Sequence, residues 1–177
     1  MKKRSLALLL ALVLAIGVAA GGTIAWLVAK TDPVVNTFTY GDINIGLAET
    51  TGSDYKIIPG VDITKDPKVT VKAGSEACYL FVKVEKAGDF VNGKVSYDIA
   101  DGWTALDGVN GVYYREVTAA TADTSFDVLK GNVVTVSENL TKAEVNNIKT
   151  QPTLTFTAYA VQKDGIADAA TAWAKVG

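Results

Sequence analysis

The chain has 177 residues, a formal net charge of −2, a single cysteine and no histidine. The absence of histidine excludes the usual general base, the commonest zinc ligand and the histidine-dependent catalytic triads. Because Cys78 has no partner in the sequence, no intrachain disulfide can form, and packing must stabilise the fold. The length predicts one domain with a single core.

The first 25 residues have the layout of a secretory signal peptide. A basic start at residues 2–4 precedes an almost unbroken apolar run at residues 5–20. The small side chains of Thr23 and Ala25 suit the third and first positions before a signal peptidase cut. We therefore predict an N-terminal signal-peptide helix that is removed between Ala25 and Trp26, and a secreted product in the extracellular matrix or on the cell surface.

An uncleaved membrane anchor is the alternative to this cleavage. The apolar character continues through residues 26–29, so the stretch is long enough to span a bilayer with its basic start inside. Gly21 and Gly22 favour cleavage, because they break the helix where a protease needs an extended substrate. In the cleaved form the membrane is a partner only through the leader, before processing.

The part of the chain after the leader is acidic. Residues 2–4 hold three of the 17 basic residues, which leaves 14 basic residues against 19 acidic ones. No basic patch with interleaved aromatic residues is present, so we expect neither nucleic acid nor an anionic membrane surface as a partner.

Downstream of residue 36 the apolar residues recur with a period of two, which is typical of β-strands. We expect the strands at 69–71 and 78–85 to be neighbours in a sheet. We also expect residues 95–117 to form a meander and residues 130–132 to form the turn of a hairpin. The predicted strands are 38–48, 56–58, 69–71, 78–85, 95–100, 103–106, 112–117, 126–129, 133–136 and 154–161.

Two short helices are predicted between or after the strands. Thr141 and Glu144 fit a capping box at the start of a helix over residues 141–148, and the alanine-rich residues 166–176 predict a helical turn or two around Trp173. Together the elements predict an all-β fold, an antiparallel β-sandwich of jelly-roll type with short helices in its connections. The expected organisation is a signal peptide at 1–25, a mature N-terminal segment at 26–41 and a β-sandwich domain at 42–177.

Motifs for catalysis are missing from the sequence. It contains no HExxH, GxSxG, GxGxxG or P-loop pattern, so we expect no enzyme activity, no catalytic residue, no bound metal and no cofactor. Aspartates are frequent in turns because their side chains bond to the local backbone, and we interpret those of this chain as solvated turn residues. They are Asp62, Asp66, Asp89, Asp98, Asp101, Asp107 and Asp123.

Two ligand hypotheses remain open beside this interpretation. Asp101, Asp107 and Asn110 lie close together in sequence, as calcium-binding loops require, although their spacing matches no EF-hand. Aromatic residues in strands could form a sugar-binding platform, but core packing explains them without a ligand. The strand aromatics are Tyr79, Phe81, Tyr97, Tyr113, Tyr114, Phe156 and Tyr159. Cys78 alternates with Leu80 and Val82 and is interpreted as a small core residue.

Residues 21–47 carry a recognisable pattern: a Gly-Gly-Thr-x-Ala cleavage region, an aromatic residue just after it, and an N-x-F-x-x-G-x-[IL]-x-[IL] strand. A second segment, PG-x-x-x-TKDP-x-VTV, spans residues 59–71. The matching residues of the first pattern are Gly21, Gly22, Thr23, Ala25, Trp26, Asn36, Phe38, Gly41, Ile43 and Ile45. In these features the chain resembles the TasA and camelysin family of secreted bacterial matrix proteins.

The resemblance implies processing by a SipW-type signal peptidase, a jelly-roll domain, and assembly into biofilm fibres outside a Gram-positive cell. One departure concerns residues 26–30, Trp-Leu-Val-Ala-Lys, where the family usually carries an aromatic pair and an aspartate. Camelysin relatives are also known as metallopeptidases. That activity is not carried over, because this chain has no histidine.

Cleavage after Ala25 would expose an apolar segment that a folded monomer must hide. We predict that residues 26–38 act as a donor strand, adding to an exposed sheet edge of another copy and so forming a fibre. The residues expected to make this contact are Trp26, Leu27, Val28, Val34, Val35 and Phe38. The alternatives are that the segment completes its own sheet, and that the protein is a monomeric surface-binding module.

Overall fold

The computed structural model describes residues 41–52 and 54–176. Within them the chain forms ten β-strands and two short α-helices, α1 (Lys142–Asn146) and α2 (Ala169–Trp173), with 3-10 turns at Val91–Gly93 and Lys130–Asn132. The strands are β1 (Ile45–Ala48), β2 (Ile63–Thr64), β3 (Lys68–Val71), β4 (Cys78–Ala87), β5 (Val95–Ser96), β6 (Thr104–Ala105), β7 (Val112–Val117), β8 (Thr124–Asp127), β9 (Val133–Val136) and β10 (Thr153–Gln162).

The strands belong to three sheets in which the paired strands all run antiparallel. One sheet has the order β1-β3-β8, the second has the order β10-β4-β7-β6, and the third has the order β2-β9-β5. The prediction of an all-β antiparallel fold with two short helices is therefore confirmed.

Strand β4 lies at the centre of the largest sheet. It pairs with β10 over ten residues, from Cys78↔Gln162 to Ala87↔Thr153, and with β7 on its other side. Its side chains alternate between two buried clusters, since Leu80 belongs to one and Phe81 to the other, and both are fully buried. Strand β4 therefore has a core on each face, which explains its long uninterrupted apolar sequence.

The larger of these two buried clusters combines residues from different sheets. Val69 and Val71 of β3 lie in it together with Leu80 and Val82 of β4, although these two strands are not hydrogen-bonded to each other. The prediction that the two strands are sheet neighbours is wrong. They are consecutive among the long strands, but the Ala73-Gly74 turn carries the chain from one sheet to another.

The smaller cluster covers the opposite face of β4 and includes helix α2. The Phe81 ring lies 5.2 Å from the Trp173 ring, centroid to centroid, and Tyr159 meets Trp173 edge-on at 5.4 Å. Ala169 and Ala172 of α2 are buried here. The predicted helical turn around Trp173 is confirmed, and these aromatic contacts attach it to the sheet.

The predicted hairpin at residues 130–132 is wrong. Strand β8 pairs with β3, whereas β9 pairs with β2 and β5, so the turn moves the chain between sheets. Gly131 and Asn132 adopt left-handed conformations, with φ of 64° and 54°. Glycine and asparagine favour both a hairpin turn and a turn that leads to another sheet. Their identity therefore predicts a turn without predicting which strands pair.

The predicted meander over residues 95–117 is half right. Strands β6 and β7 pair as a hairpin, but β5 pairs with β9 in another sheet. Residues 56–58 are not a strand, although the turn that follows them at Pro59-Gly60 is present. Short apolar runs of two or three residues carry too little periodicity to fix their partners.

Both helices begin at side-chain caps. The Thr141 hydroxyl accepts from the Glu144 backbone N–H at 3.3 Å, and the Glu144 carboxylate accepts from the Thr141 N–H at 2.8 Å, so the predicted capping box is confirmed. Asp168 caps α2 by accepting from the Thr171 N–H at 2.7 Å. The predicted signal-peptide helix at 1–25 lies outside the described residues.

Replacing Gly88 with alanine is expected to destabilise the fold at the end of β4. A Cβ there would lie 2.2 Å from the Gln151 carbonyl oxygen, whereas a Cβ on Gly74 would meet nothing within 4 Å. Both glycines have φ near +80°, so strain from the left-handed conformation is common to the two variants. We expect Gly88→Ala to lower the free energy of unfolding by about 2 kcal/mol more than Gly74→Ala, as measured by urea denaturation. Equal losses would contradict this packing.

Candidate functional site

Strand β10 is a long edge strand. Its ten residues pair with β4 on one side, and among residues 41–52 and 54–176 no strand pairs with its other side. Its sequence, TLTFTAYAVQ, contains no charge, no proline and no glycine. Natural edge strands usually carry such residues because they prevent pairing with another chain. Within the described residues, strand β10 therefore has one edge that is paired with no strand, and β1 approaches β10 without pairing with it.

A groove lies between the beginning of β10 and the end of β1, which is the edge strand of another sheet. The groove has a volume of about 870 Å³ and mainly apolar walls. Its apolar lining consists of Leu47, Ile57, Ile63, Pro67, Phe90, Val95, Val134, Leu154 and Phe156. Leu47 is among the most exposed large hydrophobic residues of the described chain. An extended apolar segment would find both an open backbone edge and side-chain contacts here.

An ion pair between the buried Lys65 and the more exposed Glu49 interrupts the apolar lining. The Lys65 Nζ lies 2.5 Å from the Glu49 Oε1, and the two side chains are 11% and 25% exposed. The same Nζ lies 5.1 Å from the centre of the Tyr55 ring and 5.8 Å from that of Phe156 on β10. The ammonium group is therefore held between a carboxylate and two aromatic rings, beside the open edge.

The wall of the groove next to Glu49 is held in place by Asp66. One Asp66 oxygen accepts from the backbone N–H groups of Thr50 and Thr51 at 2.9 and 3.1 Å, and the other accepts from the Thr50 hydroxyl at 2.5 Å. These hydrogen bonds, with those of Thr50 first, lower the pKa of Asp66 to about 2. The Tyr55 hydroxyl donates to the carbonyl oxygens of Thr51 and Gly52.

The interpretation of the aspartates as locally bonded turn residues is wrong for three of them. Asp66 accepts from Thr50 and Thr51, which are 16 and 15 positions away. Asp89 accepts from the backbone of residues 149 and 150, and Asp123 accepts from Ala73 N–H at 2.9 Å. These hydrogen bonds lower the pKa of both carboxyl groups. The three aspartates thus tie distant loops together.

Side chains join the sheet that contains β6 and β7 to the sheet that contains β8. The Arg115 guanidinium carbon lies 3.8 Å from the centre of the Phe126 ring on β8 and 5.3 Å from that of Trp103, which precedes β6. The Trp103 Nε1 donates to the Asp127 carbonyl at 2.8 Å. Strands β6 and β8 are edge strands of two different sheets, and this stack joins them. The other edge strands of the same two sheets, β1 and β10, have the groove between them instead.

The described residues also bear on the hypotheses of a metal site, a membrane-spanning helix and a core cysteine. Within the described ranges, no three His, Cys, Asp or Glu side chains come close enough to hold a metal ion, and Asp101 and Asp107 form no such group. No helix found among those residues is long and apolar enough to cross a membrane. Cys78 is fully buried and burial raises the pKa of its thiol, so its interpretation as a core residue is confirmed.

The predicted cleavage and assembly residues lie outside the part of the chain that the structure describes. The cleavage residues are Thr23, Ala25 and Trp26, and the assembly residues are Trp26, Leu27, Val28, Val34, Val35 and Phe38. Both predictions stand as they were made.

Sequence reasoning missed the ion pair and the edge position of β10. Lys65 lies in an otherwise polar stretch, Thr-Lys-Asp-Pro, where lysine is ordinarily exposed. The uncharged sequence of β10 points to a central strand, because natural edge strands usually carry a charge or a proline, so the sequence gives no signal for its edge position.

Comparisons with known proteins add no neighbour. A scan against protein-family models, a search of curated proteins and a search of solved structures each found no match to this chain.

Replacing Asp66 with asparagine is expected to reduce the acid sensitivity of the fold. The carboxyl has a folded pKa of about 2 against an ordinary 3.8, so its contribution to stability is complete above pH 3.8 and is lost as the pH falls toward 2. Urea unfolding across this range should show a steeper loss for the wild type than for Asp66→Asn. Thr50→Val, which removes one donor to the carboxylate, should give an intermediate slope. Parallel pH profiles for all three proteins would contradict this assignment.

Proposed function

We propose that this protein is a secreted structural protein, the subunit of an extracellular matrix fibre, and that it assembles by strand addition at β10. In this proposal the described domain is a β-sandwich of jelly-roll type, and residues 26–38 of one copy add to the sheet edge of the next. The partner is another copy of the same chain, after a SipW-type signal peptidase has removed residues 1–25.

The sandwich architecture is supported by the composition of the larger buried cluster. Val69 and Val71 from one sheet share this cluster with Leu80 and Val82 from another sheet. Sheets that bury one face against each other through alternating residues are typical of sandwiches.

The observation that carries the proposal is the open, uncharged edge of β10 next to an apolar groove. Strand addition needs unpaired backbone groups for affinity and pockets for alternate side chains. Among the described residues no strand pairs with the second edge of β10, which supports the first requirement, and the groove between β1 and β10 supports the second. The stack of Arg115, Trp103 and Phe126 joins β6 to β8, which supports β10 rather than β6 as the proposed assembly edge.

The proposed donor segment has the length that this edge requires. Thirteen extended residues, 26–38, span about 43 Å, and the ten residues of β10 span about 33 Å, at roughly 3.3 Å per residue. A donor on one part of the molecule and an acceptor on another make a head-to-tail contact. Such contacts do not close on themselves and therefore produce a filament.

A monomeric ligand-binding module is the second candidate function. A groove of about 870 Å³ with apolar walls and a few charged groups also has the size of small-molecule sites. In that case the secreted protein would remain monomeric at high concentration. A camelysin-like peptidase is the third candidate, and the absence of histidine weighs against it.

The decisive experiment is electron microscopy of the secreted product. The full-length sequence is expressed in a Gram-positive host with a SipW-type peptidase, and the secreted protein is sequenced from its N-terminus. We expect it to begin at Trp26 and to form filaments whose amount rises with concentration. A variant without residues 26–37 downstream of the cleavage site should remain monomeric. Filaments of normal amount from that variant would reject donor-strand assembly.

A lysine on the open edge should block assembly without harming the fold. Thr155 is exposed on β10 and lies opposite Glu85 of β4, so Thr155→Lys gains a cross-strand charge partner. The charge also protects the edge from an incoming strand. We expect at least about a tenfold decrease in filament mass after centrifugation, with an unchanged thermal midpoint.

Ser125→Lys is the matched control, because Ser125 is exposed on β8, an edge strand of a different sheet. This variant should assemble like the wild type. Equal inhibition by the two lysines would show that β10 is not the acceptor edge.

A further inference from the structure

We propose that Arg115, held against the rings of Trp103 and Phe126, binds the carboxylate of an acidic sugar, a uronate unit of a polysaccharide. The site lies between β6 and β8, at the opposite edges of the two sheets from the groove between β1 and β10. No residue that lines the groove takes part in it. This binding function is therefore separate from the proposed assembly function.

The guanidinium group of Arg115 is a cation without an opposite charge. Among residues 41–52 and 54–176, none of the ion pairs includes Arg115, and its Nε is buried without a hydrogen-bond partner. Burial alone lowers the pKa of Arg115, and no described carboxylate contributes to that shift. Buried polar atoms usually have a partner, because losing water without one costs free energy. The aromatic stack, rather than a hydrogen bond, therefore holds this group in place.

The acidic side chains beside the stack are already engaged with lysines. Within two residues of Trp103, Arg115 or Phe126 in sequence, each carboxylate faces a lysine ammonium group. The three pairs are Asp101–Lys130, Glu116–Lys163 and Asp127–Lys68. The positive charge of Arg115 is consequently left for an anion from outside the domain.

The guanidinium group is flat and fixed in position, which suits a carboxylate. Two N–H groups of a guanidinium form a fork that matches the two oxygens of a carboxylate. Because Nε is buried, the fork left to the half-buried side chain is the one at Nη1 and Nη2. A carboxylate on this fork continues the guanidinium plane alongside the rings, whereas a tetrahedral phosphate places oxygens outside that plane. The anion that this site fits best is therefore a carboxylate.

Two contacts immobilise the guanidinium group before a ligand arrives. Its carbon lies 3.8 Å from the centre of the Phe126 ring, and a Cβ on Gly102 would lie 3.0 Å from the Arg115 Nη2. The turn at Gly102 is thus packed against the end of the side chain. A group that is ordered in advance loses less conformational entropy on binding, so the site is preorganised.

The surroundings of the fork favour a sugar as the carrier of this carboxylate. Trp103 and Phe126 are half-buried, so their rings present apolar surface beside the fork. The faces of a sugar ring carry C–H groups, which pack on aromatic surface. A peptide that binds by strand addition needs a long open edge, but β6 has two residues and β8 has four. A uronate needs only the fork and the apolar surface next to it.

The test is equilibrium dialysis of the secreted product against a galacturonate trisaccharide and against its neutral methyl ester. Dialysis measures binding by single subunits and by filaments alike. We expect the acid to bind at least about tenfold more tightly than the ester, because the ester has no carboxylate for the fork. Arg115→Met, which keeps an apolar stem beside the rings, should weaken binding of the acid at least about tenfold. Arg115→Lys should weaken it comparably, because an ammonium group keeps the charge without the fork.

Lys86→Met is the matched control. The Lys86 ammonium also lies over two rings, at 5.7 Å from the centre of Phe90 and 4.6 Å from that of Tyr97. Removing this cation should leave binding of the trisaccharide unchanged. Circular dichroism and thermal unfolding verify that each variant is folded.

A second measurement uses the wild-type chain and does not depend on how a variant folds. The sequence contains two arginines, Arg4 and Arg115, so the Nε–H nuclear magnetic resonance signal of Arg115 can be assigned. This signal should shift when the acid is added and stay in place when the ester is added.

Several results would overturn the assignment. They are equal binding of acid and ester, an absence of binding, equal losses in Lys86→Met and Arg115→Met, and an Nε–H signal that does not respond to the acid. An acidic peptide that displaces the trisaccharide and binds more tightly would show that the carrier is a protein rather than a sugar. None of these results bears on filament formation, which is measured separately, so the proposed function stands or fails independently.

Discussion

Burial of β4 on both of its faces is the constraint on which the rest of the described domain depends. A strand with Leu80 in one core and Phe81 in the other needs covering elements on two sides. One side is covered by β3 and by the residues around β8 and β9, and the other by helix α2 and the loop before β7. Because both faces of β4 must be buried by other elements, the chain passes from one sheet to another after only a few residues.

The same constraint determines where the molecule is open. Among the described residues, central strands pair their backbone groups with neighbours on both sides, whereas the edge strands β1, β8, β10, β6, β2 and β5 pair on one side only. Strand β6 has only two residues, and the stacked side chains of Trp103, Arg115 and Phe126 join its sheet to β8. Strand β10 is five times longer and faces a groove. The two ends of this sheet therefore differ, and the proposed assembly uses only the β10 end.

What the sequence could predict follows from how local each determinant is. The capping box of Thr141 and Glu144 spans four residues, and the alternation of β4 and β10 spans ten, so both can be identified without knowing the fold. The partner of β8 cannot be identified in this way, because Gly131 and Asn132 form the same kind of turn whether the next strand pairs back or crosses to another sheet. Pairing was decided by burial of both faces of β4, which is a property of the whole domain.

The candidate site also has one part that is local in sequence and one part that is not. The proposed donor residues, from Trp26 to Phe38, could be named from the sequence because they are contiguous and follow a cleavage pattern. The proposed acceptor could not, since Lys65, Glu49 and Phe156 are separated by up to 107 positions and become neighbours only in the folded domain. Lysine also gives no sign of burial in a polar stretch of sequence, because its long apolar stem lets it occupy either environment.

The single thiol has a practical consequence of its own. Cys78 begins β4 and is fully buried between the two covering layers, so reagents that modify thiols can reach it only when those layers separate. The rate of its labelling therefore reports how often the domain opens. Since no crosslink depends on this sulfur, the domain keeps its architecture in reducing and oxidising surroundings alike.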